Sequence, residues 1–157
     1  MTANITDIFR AGLVRRWHCN PDLAHTVDRI DGHGARVARI IIALHPQPSL
    51  GLIIEALRHD DGESVTGDVK APTKDAHPVF SEMLAEIEQE ARVLLWRSYY
   101  RLTKSETAWL KFADRLDAYM WAQHHAPHVL TGDDWPEARV WLLETAEALR
   151  ADIERVI

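Results

Sequence analysis

Between residues 5 and 149 the apolar side chains recur at the three- and four-residue spacing of an α-helix, and no stretch sustains the every-second-residue alternation of a half-buried strand. That pattern restricts the chain to an all-α fold. A short first stripe holds Ile5, Ile8, Phe9 and Leu13. A second helix is expected over residues 33–44, with Val37, Ile40, Ile41 and Leu44 inward, ended by the step from His45 to Pro46. Pro48 and Ser49 open a third that runs to about Asp60 and carries Leu52, Ile53, Ala56 and Leu57. Pro78 starts a fourth, to about Trp96, through Phe80, Leu84, Ile87, Ala91 and Leu94. Ser105 with Trp109, Phe112, Leu116, Tyr119 and Met120 marks a fifth. Thr131, Gly132, Asp133 and Asp134 cap a last one through Trp135, Val140, Leu143, Ala146 and Leu149. Six or seven helices in one domain, residues 1–157, is the expectation; no repeat, low-complexity run or linker divides the chain.

Residues 61–77 stand out as a long connection rich in Gly, Asp, Pro and Thr. Loops of that length inside a compact domain are commonly functional. This one follows directly on His59 and Asp60, which offer an imidazole and a carboxylate from adjacent positions. Glu63 lies four residues after His59, so a continued helix would put both on one face. The other donors for a cation are His33, in a predicted helix, and Asp114, between Ala113 and Leu116 within the stripe of the fifth. A lone carboxylate among apolar neighbours is costly unless it is paired or ligates a metal; Lys111 and Arg115 are the alternative partners of Asp114. His124, His125 and His128 also look like a cluster. They fall at a helix end near Pro127, where polar and cationic side chains suit an exposed C-terminus.

The balance of charge bears on partners. Net charge is -6 with 18 Lys and Arg against 24 Asp and Glu, which argues against a protein that coats duplex nucleic acid. A small anionic substrate remains compatible, because a metal and a few cations supply positive charge locally. Cys19 is the only cysteine, so neither a disulfide framework nor a cysteine zinc site is available, and a reducing cytoplasm is expected. Residues 1–10 lack the basic-then-apolar order of a signal peptide. The longest apolar run, residues 40–44, is too short to span a bilayer, so no membrane partner is expected. Six tryptophans on a small domain suggest apolar surface to cover, and hence a homo-oligomer.

The order His33, then His59-Asp60, then Asp114 resembles the signature of the HD-domain metal-dependent phosphohydrolases. Further residues resemble their small deoxynucleotide-hydrolysing branch, the YfbR-like 5′-deoxynucleotidases and the phage dATP triphosphohydrolases of the DatZ type. Arg16-Trp17 looks like an Arg-Trp pair ahead of the first metal histidine, and Glu63 sits four residues after the second. Gly67-Asp68 follows at eight and nine, Pro72-Thr73-Lys74 looks like a Pro-x-Lys, and Lys111-Phe112-Ala113-Asp114 looks like a Lys-x-Ala-Asp. The resemblance spans residues 10 to about 120. Gly32 stands where the family has an acidic residue, and Arg16-Trp17 lies two residues farther from His33 than in the family. The resemblance implies a compact HD-domain helical bundle with one divalent transition metal on His33, His59, Asp60 and Asp114.

Two imidazoles and two carboxylates suit Zn, Mn, Co or Fe(II), leaving positions for water and a phosphate oxygen. Glu63, not needed as a ligand, is the expected general acid/base, and Asp68 would orient water or substrate. Arg16 offers a bidentate fork for phosphate and Lys74 a point charge; Arg15, Arg29 and Lys70 are alternatives. In the resembled family the tryptophan matching Trp17 packs on the sugar and disfavours a 2′-hydroxyl. The expected activity is hydrolysis of a 2′-deoxynucleotide. The short tail after Met120 points to a deoxynucleoside triphosphate triphosphohydrolase of the dATP type; the alternatives are a 5′-deoxynucleotidase on monophosphates and a non-catalytic, metal-containing nucleotide-sensing or interaction module.

Overall fold

The computed structural model describes residues 4–98 and 100–157; the first three residues of the 1–10 segment and Tyr99 lie outside the described residues. The fold is all-α, as expected: among the described residues the only β feature is an isolated antiparallel bridge between Arg15 and Arg29. The helices are α1 (Ile5–Ala11), α2 (Ile30–Leu44), α3 (Leu50–Arg58), α4 (Glu63–Thr66), α5 (Ala71–Ala76), α6 (Pro78–Trp96), α7 (Lys104–His125) and α8 (Trp135–Leu149), with a 3-10 turn at Pro127–Thr131. No helix among the described residues is long and apolar enough to cross a membrane.

Local chemistry sets most of these boundaries. Asn4 caps α1 by accepting the Thr6 N–H. Ser49 Oγ accepts the Leu52 N–H at the start of α3. Pro78 occupies the first position of α6, where its missing N–H is no loss, and Arg97 ends that helix in the left-handed region at φ 54°. Thr103 and Glu106 form a reciprocal capping box on α7. His124 and His125 fall in the last turn of α7 and are exposed with His128, as the expected helix end.

The chain divides into two compact units. The second comprises residues 35–57 and 101–157. Its core joins Val37, Ala38 and Ile41 of α2, Leu52 and Ala56 of α3, Trp109, Phe112, Leu116 and Tyr119 of α7, and Leu142 and Ala146 of α8. The inward stripes expected for α2, α3 and α7 hold at most positions, but Leu57 of α3 and Met120 of α7 are exposed, as is Val140 of the stripe expected for α8. Arg36 forms a bidentate pair with the buried Asp117, at 2.6 and 3.0 Å, while stacking over Trp121.

The first unit comprises residues 1–34 and 58–100, and departs from expectation in three places. α2 begins at Ile30 rather than residue 33, because Ile30 is buried and its N–H bonds to the Val14 carbonyl at 3.1 Å. The expected loop over residues 61–77 contains α4 and α5, so Lys74 stands on a helix rather than in an irregular connection. The inward stripe expected for α6 holds at two of its five positions. Leu84 and Ala91 are buried, but Phe80, Ile87 and Leu94 are exposed, as are Ile5 and Phe9 of α1. The spacing found the helix and misjudged its buried face.

Candidate active site

α3 stops at Arg58, and His59, Asp60, Asp61 and Gly62 form a tight turn. The Asp61 N–H bonds to the Arg58 carbonyl at 3.2 Å, and the Glu63 N–H to the Asp60 carbonyl at 2.8 Å. The expectation that one helix carries His59 and Glu63 on a common face is therefore corrected: Glu63 is the first residue of a separate helix, α4. The break follows from packing. A Cβ at Gly62 would lie 2.4 Å from the Glu88 carbonyl oxygen and 2.7 Å from Glu88 Cα, so the turn presses its backbone directly on α6. A close approach of this kind overrides helical spacing and admits only glycine.

The turn brings His59 and Asp60 to His33, which is wholly buried near the start of α2. His33 Nε2 lies 3.2 Å from His59 Nε2 and 3.3 Å from Asp60 Oδ2, and His59 Nε2 lies 3.4 Å from Asp60 Oδ1. These three residues form the group of potential ligands among the described residues. Their spacing fits a shared cation. Donors bound at about 2.0–2.2 Å to one ion, at tetrahedral to octahedral angles, are separated by roughly 3.0–3.5 Å. Asp114, the fourth expected ligand, lies partly buried on α7 and belongs to the second unit. Its sequence neighbours Lys111 and Arg115 lie over the ring of Trp141.

Glu63 is buried beside this group. Its Oε2 has no hydrogen-bond partner, and its Oε1 lies 3.9 Å from Lys74 Nζ. Burial, then the nearby carboxylates of Asp60 and Asp68, push the Glu63 carboxyl up to about 9, against the pull of Lys74. At neutral pH the metal-free protein therefore holds a proton on Glu63. Asp61 is raised to about 6, chiefly by burial, and opposed by the 2.7 Å hydrogen bond from Trp96 Nε1.

Arg16 and Trp17 come from the loop between α1 and α2. Arg16 Nη1 lies 2.8 Å from His33 Nδ1, and its guanidinium carbon is 5.0 Å from the centre of the Trp17 ring. Trp17 has the left-handed φ of 63°, rare for a bulky residue. Its N–H donates to Asp68 Oδ2 at 2.9 Å, so Asp68 reaches across from the residues after α4 to hold this backbone. Gly67, at φ 76°, supplies the turn that precedes Asp68. Thus Arg16 meets His33, Trp17 meets Asp68, and Lys74 faces Glu63.

Two residues of this region escaped the sequence reading. Asp28 is buried and accepts from Arg16 Nη1 at 3.3 Å and from Trp17 Nε1 at 3.2 Å. Asp61 was read only as part of a loop. Nothing local marks Asp28; a buried Asp in a loop without periodicity reads as a turn residue.

Residues 6–127 match the model of the YfbR-like 5′-deoxynucleotidase family. A comparison with curated proteins finds no match. The matched segment is well over half of the chain and includes every candidate residue named above, so the chain belongs to that family.

Proposed function

We propose that this member of the YfbR-like 5′-deoxynucleotidase family is a metal-dependent phosphohydrolase that removes the 5′-phosphate from 2′-deoxynucleoside monophosphates. The observation that carries the reading is the convergence of His33, His59 and Asp60 at 3.2–3.4 Å beside the buried Glu63 carboxyl, whose Oε2 has no hydrogen-bond partner. His33, His59 and Asp60 would hold one divalent transition metal, Zn, Mn, Co or Fe(II), with Asp114 as the fourth ligand on the strength of its sequence motif. Such an ion, when bound, acidifies water and polarises the phosphoryl oxygens. The whole chain, 1–157, is read as one phosphohydrolase domain, because the ligand motif runs in sequence from His33 to Asp114.

The chain's own groups supply the rest. Arg16 offers a planar fork to phosphate oxygens, and Lys74 a second positive charge. Trp17 lays a rigid ring against the sugar and leaves no space for a 2′-hydroxyl. Hydrolysis forms a bond from water oxygen to phosphorus and breaks the bond from phosphorus to the 5′-oxygen. The departing 5′-oxygen takes a proton from Glu63 as general acid, and the proton given up by the attacking water restores the Glu63 carboxyl. Asp68 orients water or substrate while fixing the Trp17 backbone.

A monophosphate substrate is preferred to the triphosphate suggested by the short tail, because family membership favours the 5′-deoxynucleotidase reaction. A cytoplasmic homo-oligomer without nucleic-acid or membrane partners fits the single exposed Cys19, the acidic balance and the exposed apolar residues of α1 and α6. The test is a panel of deoxy- and ribonucleoside mono- and triphosphates with added Mn, Co or Zn, read by product chromatography. Deoxynucleoside and phosphate from monophosphates support the reading. Triphosphate release from deoxynucleoside triphosphates would replace the substrate, and metal-loaded protein that binds nucleotides without turnover would make it a sensing module.

A further inference from the structure

We propose that Asp28 is the positioning residue for substrate recognition, holding the phosphate-binding Arg16 and the sugar-reading Trp17 on a single carboxylate oxygen; this rests on the function proposed above. The Asp28 side chain is almost completely buried and its rotamer is fixed locally, because Oδ1 accepts the Arg29 N–H at 3.0 Å. That leaves Oδ2 to take Arg16 Nη1 at 3.3 Å and Trp17 Nε1 at 3.2 Å. The main chains are tied as well: the Arg16 N–H donates to the Asp28 carbonyl at 3.1 Å.

The Trp17 backbone shows what this anchoring opposes. Its φ of 63° lies where bulky residues seldom sit, and it is held from both sides. The N–H is taken by Asp68 Oδ2, and the carbonyl by the Asn20 N–H at 2.8 Å. With the backbone pinned, the remaining freedom of the ring is rotation of the side chain, and the bond from Nε1 to Asp28 removes it. A ring that excludes a hydroxyl by overlap works only if it does not yield; a few tenths of an ångström of give would admit a ribonucleotide. The same oxygen aligns the Arg16 fork, so Asp28 couples sugar reading to phosphate reading without touching substrate.

Asp28→Asn separates this role from a merely structural one. If its amide oxygen keeps the Arg29 N–H, its NH₂ faces two donors and both bonds are lost. The expected result is a fall of about tenfold in the ratio of kcat/KM for dAMP over AMP, the scale of one charge-assisted hydrogen bond. The ratio should fall because AMP gains relative to dAMP as the loosened ring admits the 2′-hydroxyl, while the misaligned Arg16 raises KM for both, with metal content unchanged. Trp17→Phe removes the N–H but keeps a ring, and should lower the ratio in the same direction; adding Asp28→Asn to it should lower the ratio no further. An unchanged ratio in Asp28→Asn, or losses equal on both sugars, overturns the proposal. If Asp28→Asn does not fold, Trp17→Phe decides: an unchanged ratio there overturns it equally. Wild-type turnover of dAMP and AMP at equal efficiency overturns this proposal and leaves the hydrolase reading standing. No turnover of any deoxynucleotide overturns both.

Discussion

Arg16 Nη1 points at His33 Nδ1 across 2.8 Å, so the cation assigned to substrate phosphate rests on a ring assigned to the metal. A guanidinium only donates, which makes Nδ1 the acceptor and leaves the ring proton on Nε2, the nitrogen that faces His59 and Asp60. A metal at Nε2 needs the opposite tautomer, with the proton on Nδ1. On the proposed roles, Arg16 and a metal would compete through one ring, and metal uptake would favour an Arg16 turned toward phosphate.

Arg16→Ala is expected to bind Mn or Zn more tightly than wild type, measured by competition with a chelating dye. It should raise KM for a deoxynucleoside monophosphate by roughly ten- to a hundredfold, the scale of a lost charge-assisted hydrogen bond. Weaker metal binding in this variant would show that Arg16 supports the His33 ligand geometry instead of opposing it.

Glu63→Gln keeps the shape of the side chain and removes its acid. Turnover should fall by about 10²-fold or more, the usual effect of removing a positioned acid or base. Metal content should stay at the wild-type level. Near-normal turnover would transfer the proton to water or to Asp68.

The same carboxyl governs the pH dependence of stability in metal-free protein. Its folded value of about 9 exceeds the ordinary 4.5, and that of Asp61, about 6, exceeds 3.8. Between those limits the folded state binds more protons than the unfolded state, so stability falls as pH rises. The Asp61 contribution is lost from about pH 4 to 6 and that of Glu63 from about pH 4.5 to 9. Chelated protein should melt progressively lower across pH 5 to 9, and Glu63→Gln should flatten the upper part of that decline. A wild-type melting temperature that rises over this range would contradict the buried, protonated state of Glu63.

The sequence made the long helices readable where local chemistry and packing agree. α6 runs from Pro78 to Trp96 as expected, since proline pre-sets its first turn and apolar spacing persists to its end. The pair His59 and Asp60 was legible because the donors are adjacent in the chain. Glu63 does lie buried near Asp60, but not for the geometric reason expected: the i to i+4 argument needs a continuous helix, and the approach of Gly62 to the Glu88 backbone breaks it. That contact joins residues distant in sequence and leaves no periodic trace. Asp28 was invisible for a related reason, since its partners lie 11 and 12 residues back across an aperiodic loop.

Gly62→Ala tests the break itself. The added methyl would overlap backbone atoms of Glu88, which cannot rotate away as a side chain would. The expected cost is at least about 1–3 kcal/mol, the range for overpacking a tight contact. It should appear as a lower melting temperature together with reduced metal content, because the shifted turn carries His59 and Asp60. A fully stable variant that loses only activity would mean that the turn yields without disturbing the fold.

The metal assignment divides into two parts that fail separately. His33→Ala and His59→Ala each remove a donor from the group at 3.2–3.4 Å and should abolish near-stoichiometric metal in protein purified without chelator, by elemental analysis. Asp114→Asn should weaken retention, because a carboxylate becomes a neutral amide while the two imidazoles and Asp60 remain. Competition with a graded series of chelators separates the two outcomes. Loss of metal in the histidine variants with wild-type affinity in Asp114→Asn would confine the site to the first unit and return Asp114 to a structural role on α7. Full retention in both histidine variants would remove the metal site from His33 and His59, and with it the hydrolytic mechanism built around them.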